Sequence, residues 1–177
     1  MGKIKIISGH MRGKTITFDN SKKIRPTLGR IKETLFNWLG NDLRNLKVLD
    51  LFGGSGSLGF EANSRGATVT LVEKDKEVFR KIKSNIKEHK MQNIKVFNSD
   101  ATYFIRLVKE TYDIAFLDPP YDNFKLINDV LLEIKKKINK NGFIYVEHNY
   151  NISFDKCWNV YKSGKSNRIM YKLINII

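Results

Sequence analysis

An α/β fold, built on a doubly wound and mostly parallel sheet, is predicted by three features of the sequence. From residue 46 onward, short apolar strand-like runs alternate with amphipathic helical stretches. Each of the first four runs ends in or beside an acid: Asp50, Glu73, Asp100 and Asp118. The first run breaks into glycines, LDLFGGSGSLG at 49–59. Sheets of this kind bind ligands outside the carboxyl ends of their strands, where the strand order reverses, so the acids and the glycines belong to one crevice.

The elements follow in order. Residues 3–18, KIKIISGHMRGKTITF, form two alternating runs around the turn-prone GHMRG and predict a β-hairpin. Pro26 then breaks the chain, and Leu28, Ile31, Leu35, Trp38 and Leu39 recur at helical spacing within an amphipathic helix over 28–43. This hairpin and helix, 1–45, make a small appendage; residues 46–177 make the main domain. There, LKVLDLF (46–52), TVTLVE (68–73), IKVFNS (94–99), YDIAFLD (112–118) and GFIYVEH (142–148) read as strands. Between them, helices are predicted over 57–66, 75–90, 101–110 and 124–138, with the lysines at 135–137 on a solvated helical face. WNVYKSGK and RIMYKLINII close the chain as an antiparallel pair, which brings the Rossmann-like sheet to seven strands.

Composition narrows the function. A chain of 177 residues suffices for one full α/β core. Cys157 is the only cysteine, which excludes an intramolecular disulfide and a thiolate metal cluster. His10, His89 and His148 show no ligand spacing, so no metal is expected. No apolar run is long enough to span a bilayer, and the N-terminus alternates instead of building a signal-peptide core. Ile6 stands where a myristoylation signal carries Ser or Thr. A soluble, cytoplasmic chain with no membrane partner is expected.

Lys plus Arg number 32 against 18 Asp plus Glu, a net charge of +14 that suits a polyanion such as nucleic acid. The chain is rich in Lys, Asn and Ile together, as AT-rich genomes encode, so lysine alone argues weakly. Arginine argues better: Arg12, Arg25 and Arg30 all fall within the first thirty residues.

Gly54, Gly56 and Gly59 fit G-x-G-x-x-G, which also opens dinucleotide-binding folds. Asp50 distinguishes the two readings, because a pyrophosphate favours bare backbone N–H groups with no acid ahead of them. A crevice lined by carboxylates suits a ligand that is cationic and rich in hydroxyl and amine donors. S-adenosylmethionine, with its sulfonium, ammonium, ribose hydroxyls and adenine amine, meets that requirement. Gly53, Gly54 and Gly56 would give a tight turn and close backbone approach. Asp75 and Asp100 also stand where helix N-caps are expected, an alternative use of both acids.

The stretch FLDPPYDNF, 116–124, carries the chemistry. An acid at a strand end, two prolines and an aromatic form a stiff turn that suits an exocyclic amine on a planar base. Asp118 and the Pro119 carbonyl would accept the amine hydrogens, and the Tyr121 ring would stack on the base.

These residues resemble the class I methyltransferases that act on nucleobase amino groups. Further segments, IISGHMRGKTI, RPTLGRIKETLFNWL, VLDLFGGSGSLGFEANSRGA, LVEKD, NSDA, LDPPY and YVEH, are similar in order to the landmarks of the RsmD family, which methylates N2 of a guanine in bacterial 16S rRNA. The resemblance implies the class I methyltransferase fold. It implies that Asp50, Gly53 and Gly56 hold the methionine part of S-adenosylmethionine, Glu73 the ribose hydroxyls, and Asp100 with Ala101 the adenine. Phe52, Gly54, Lys74 and Asp118 complete the cofactor set. Asp118, Pro119, Pro120 and Tyr121 form the target-amine site, and Arg12, Arg25, Thr27 and Arg30 contact RNA or the cofactor edge. It also implies 16S rRNA as partner, in an assembled or partly assembled 30S subunit, and a monomeric enzyme. Leu28-Gly29 and Gly54 depart from the family pattern, which commonly has Thr-Asp and Ala there.

Three other functions fit parts of the sequence. A DNA or other RNA amino-methyltransferase would share DPPY, but the DNA enzymes usually need a larger target-recognition region. An NAD-binding oxidoreductase is opposed by Asp50 and by the lack of a hydride-transfer acid. A catalytically idle RNA-binding protein would need neither the acids nor DPPY.

Overall fold

The structure is a computed structural model that describes residues 1–19, 29–119, 124–149, 152 and 154–177. Arg25, Thr27, Pro120 and Tyr121 lie outside the described residues. The predicted hairpin is present as β1 (Gly2–Lys5) and β2 (Thr15–Phe18), paired antiparallel, followed by α1 (Gly29–Leu39). The main sheet takes its strands from β3 (Lys47–Asp50), β4 (Thr68–Glu73), β5 (Ile94–Asn98), β6 (Tyr112–Leu117), β7 (Ile138–His148), β8 (Trp158–Ser166) and β9 (Ile169–Ile176). Its helices are α2 (Ser57–Ser64), α3 (Lys76–Glu88), α4 (Ala101–Leu107) and α5 (Phe124–Ile134).

The strand order is β5-β4-β3-β6-β7-β9-β8. The first five strands in that order are parallel, and β9 runs antiparallel between β7 and β8. The chain winds outward from β3 to β5, then returns to β6 on the other side of β3. The reversal point therefore lies between β3 and β6, where Asp50 is in register with Phe116, two residues before Asp118.

Strand alternation divides the core in two. Val48, Val69, Leu71, Phe116 and Tyr145 face one layer, covered by the hairpin, α1, α2 and α3. Leu49, Val72, Ala115, Leu117 and Val146 face the other, covered by α4 and α5. Phe36 of α1 is fully buried, edge-on to Phe116 at 6.0 Å and 4.6 Å beneath the Arg65 guanidinium.

Three expectations need correction. The buried face of α1 is Ile31, Lys32, Leu35 and Phe36, with Trp38 and Leu39 only half-buried, so the helix is rotated from the stripe its apolar residues suggested. Lys32 turns inward because its ammonium finds acceptors there: the Lys5 carbonyl at 2.9 Å and Glu61 at 3.5 Å. The lysines at 135–137 are not helical, since α5 stops at Ile134 and a turn feeds β7 from Ile138. Lys137 donates to the Val108 carbonyl at 2.6 Å, and a register shift between Tyr112 and Ile114 absorbs the early strand start. Finally, α1 ends at Leu39 and α4 at Leu107, four and three residues before their predicted ends.

The hairpin is fastened to α2 by polar contacts as well as by its apolar face. Glu61, fully buried, accepts from the Ile7 and Ser8 N–H groups at 2.8 and 3.0 Å and from Arg65 at 3.0 Å. Ser64 accepts at its carbonyl from the His10 N–H (2.8 Å) and at its hydroxyl from the Met11 N–H (2.9 Å). Gly9, at φ +79°, lies so close that an added Cβ would stand 1.8 Å from the Ser64 carbonyl oxygen.

Candidate active site

The carboxyl ends of β3, β4 and β6 bring Asp50, Glu73 and Asp118 to one end of the sheet. Asp50 alternates with Val48 and so points toward α2, where its Oδ2 accepts the Gly59 N–H at 3.0 Å; the Phe52 N–H also donates to it. Burial pushes this carboxyl from 3.8 up to about 7, opposed by those two N–H groups and reinforced by Glu73. Gly59 has room for nothing larger, since an added Cβ would sit 2.9 Å from Leu71 and 3.1 Å from the Asp50 carboxylate.

Glu73 holds the glycine turn from the next strand. Its Oε2 accepts the Gly54 N–H at 2.8 Å, and its Oε1 accepts the Asp75 N–H at 2.8 Å. Each carboxylate oxygen carries two acceptor sites, so capacity remains for ligand hydroxyls. The turn itself uses φ values of +50° at Gly54 and +77° at Gly56, and a Cβ on Gly56 would meet the Phe60 ring at 2.3 Å. A Cβ on Gly53 would face Ile82 and the Val72 carbonyl, both at 3.2 Å. At Gly53 and Gly56 the close approach is between parts of the protein itself; it fixes the shape of the turn.

Asp75 and Asp100 both serve as the helix caps that the sequence offered as an alternative. Asp75 accepts from Glu77 and Val78 at the start of α3. Asp100 accepts from the Thr102 and Tyr103 N–H groups through Oδ1, leaving Oδ2 outside the cap. The Thr102 hydroxyl and those N–H groups hold Asp100 below the usual carboxylate range, with help from Lys74. Lys74 and Asp100 are exposed, while Ala101 is buried. Phe52 is half-buried against the second core layer.

Asp118 is half-buried and Pro119 is buried directly after β6. Pro120 and Tyr121, the rest of the predicted amine site, lie outside the described residues. Glu147 and His148, both buried, end the neighbouring strand β7; Tyr145 donates its hydroxyl to Glu147 at 2.8 Å.

The hairpin, α1 and the start of α2 line an open cleft of about 590 Å³, which none of the strand-end acids lines. Arg12 lines it together with Lys3, Lys5, Lys32, Glu33 and Ser57. Arg30 is exposed on the first turn of α1 and is not part of that lining. The Ser57 hydroxyl is buried without a hydrogen-bond partner among the described residues. Sequence reasoning missed Lys3, Lys5, Lys32 and Ser57. Alternation in the hairpin placed Lys3 and Lys5 on one side, which was the available signal for those two. Among the described residues, no group of three or more His, Cys, Asp or Glu side chains is arranged to hold a metal, and no helix is long and apolar enough to cross a membrane.

Comparison with known proteins agrees with this architecture. The family described as "Conserved hypothetical protein 95" matches residues 4–175. Ribosomal RNA small subunit methyltransferase D of Buchnera aphidicola (subsp. Acyrthosiphon pisum) is 43% identical, over 94% of this chain and 90% of its own length. The protein of the same name from Escherichia coli is 34% identical, over 97% of this chain and 89% of its own. The solved structure of the Escherichia coli protein yhhF superposes with a TM-score of 0.90 at 32% identity, covering 99% of this chain and 98% of that one. With nearly its whole length matched and the strand-end acids in place, the chain belongs to the conserved hypothetical protein 95 family, the RsmD family of methyltransferases.

Proposed function

We propose that this protein transfers a methyl group from S-adenosylmethionine to the exocyclic N2 amine of a guanine in 16S rRNA. The observation that carries the reading is that Asp118 follows β6 directly beside β3, whose end carries Asp50 and the glycine turn held by Glu73, at the reversal point of the sheet. The names of the full-length relatives support rRNA of the small subunit as the substrate class.

The donor set fits the cofactor. Spare acceptors on Glu73 suit ribose hydroxyls, the uncapped Oδ2 of Asp100 and the neighbouring Ala101 suit the adenine, and Asp50 fixes the turn of Phe52, Gly53, Gly54 and Gly56 against which the methionine part would lie. Lys74 stands at the same rim. Bound there, S-adenosylmethionine supplies an electrophilic methyl on a sulfonium.

This chain's own residues handle the amine. A guanine N2 is a poor nucleophile because its lone pair is delocalised into the ring. Asp118 and the Pro119 carbonyl accept its hydrogens, aligning the lone pair and stabilising positive charge as it develops. Pro120 and Tyr121 complete the amine site that the resemblance implies, with stacking of the base on the Tyr121 ring worth about 1–3 kcal/mol. The first 45 residues serve RNA contact: Arg12 with the cleft, and Arg25, Thr27 and Arg30 along the chain that follows. A monomer working in the cytoplasm on an assembled or partly assembled 30S particle completes the reading.

Incubation with labelled methyl donor and, separately, 16S rRNA, 30S particles and DNA tests it. Label recovered as N2-methylguanosine from RNA is the expected result. Label in DNA, or in a methylated adenosine or cytidine, overturns it.

A further inference from the structure

The C-terminal hairpin presents cations at the reacting end of the sheet. Ser166 of β8 pairs with Ile169 of β9, so Asn167 and Arg168 form the turn between them. Met170 lies opposite both Lys165 and His148, the last residue of β7. The turn therefore projects beyond the carboxyl ends of the parallel strands, the end that carries Asp118.

Register and strand spacing locate it further. Leu117 pairs with Val146, so Asp118 follows at the level of Glu147, whose partner across β9 is Tyr171 and, across β8, Gly164. With strands about 4.8 Å apart and a rise of about 3.3 Å per residue, the turn stands on the order of 15–20 Å from Asp118. At that distance the turn can meet the backbone flanking a target nucleotide without obstructing the nucleotide itself.

The charge there is of one sign. Residues 158–177 contain Lys162, Lys165, Arg168 and Lys172 and no acid. Lys162, Lys165 and Arg168 are exposed, and among the described residues none of them is in an ion pair. Lysine on an edge strand also discourages sheet-to-sheet aggregation, which accounts for Lys162 within β8. Lys165, also within β8, falls under the same account, but Arg168 does not, because it stands in the turn itself beyond the last paired residues. The N-terminal hairpin docks elsewhere, on α2 and on α3 through Asn85 donating to the Thr17 carbonyl at 2.9 Å. The two hairpins thus flank β6 from different sides.

We propose that the β8–β9 turn is a second RNA-backbone contact, in which Lys165 and Arg168 hold phosphates of the substrate strand beside the target nucleotide. This rests on RNA being the substrate. Arg168 can grip a phosphate with two parallel N–H donors, whereas Lys165 acts as a point charge.

The test uses the full chain, a K165Q/R168Q variant, and a charge-matched K136Q/K140Q control at the opposite end of the sheet. Binding of a 16S rRNA transcript is measured against salt, with thermal midpoints checked for equal folding. Removing one phosphate-binding cation lowers the log–log salt slope by about 0.7–0.9. The turn variant should therefore reduce the slope by about 1.5 and show a raised KM for RNA, with kcat and S-adenosylhomocysteine affinity unchanged; the control should reduce it by less than half as much. Equal slopes for the two variants overturn the proposal, as does a defect seen only on 30S particles with an unchanged RNA slope, which would mark a protein partner. If the unaltered chain methylates no RNA at all, the functional reading itself falls, and this proposal with it.

Discussion

The Glu73 carboxylate accepts the Gly54 backbone N–H at 2.8 Å, so the acid ending one strand holds the glycine turn that follows the strand beside it. On the proposed reading, cofactor affinity and turn geometry depend on the same side chain. Glu73→Ala should weaken S-adenosylhomocysteine binding by about 1.5–3 kcal/mol, the range for hydrogen bonds to a charged group. Glu73→Gln, which keeps one carbonyl acceptor, should weaken it less. Calorimetry reads both, and clear binding of NAD with no heat from S-adenosylhomocysteine would reverse the choice of ligand.

Glu61 predicts a stability effect far from the chemistry. Replacing it by Ala strands two buried cations, Lys32 and Arg65, and removes the acceptor of the Ile7 and Ser8 N–H groups. Breaking a buried charge cluster this way costs about 3–5 kcal/mol. Urea unfolding should show that decrease; a change below about 1 kcal/mol would mean that the apolar face alone seats the hairpin.

Much of this was legible in the sequence, and the parts that were not share a cause. The strand-end positions of Asp50, Glu73 and Asp118 could be read because alternation and turn residues are local signals, and the same signals predicted the closing antiparallel strands. Glu61 was invisible because its partners Ile7 and Ser8 lie 54 and 53 residues away and use backbone N–H groups, which leave no trace in residue type. Lys32 misled the helix reading for the same reason: a buried lysine is recognisable only once its acceptors are in place. The end of α5 was set by the β6–β7 register and not by helix propensity, so the lysines at 135–137 looked helical until the sheet was assembled.

Asp50 predicts a pH dependence with a definite sign. Its folded-state carboxyl titrates at about 7 against 3.8 ordinarily, so the folded chain retains a proton that the unfolded chain releases. The stability associated with that proton is fully present below about 3.8 and is lost as pH rises through about 7. Asp50→Asn removes the titration. The thermal midpoint of the native chain relative to this variant should fall across that window and level off above it; a constant difference would contradict the burial account.

Asp118 tests the central claim, that the end of β6 is where the amine is held during methyl transfer. The measurement is single-turnover methyl transfer to 16S rRNA or 30S particles by the native chain, Asp118→Ala and Asp118→Asn, with S-adenosylhomocysteine affinity determined alongside. Loss of an acceptor needed as charge develops should slow Asp118→Ala by about 10²–10³, with Asn keeping more of the rate and cofactor affinity nearly unchanged in both. An Asp118→Ala variant as fast as the native chain would contradict the assignment of this site.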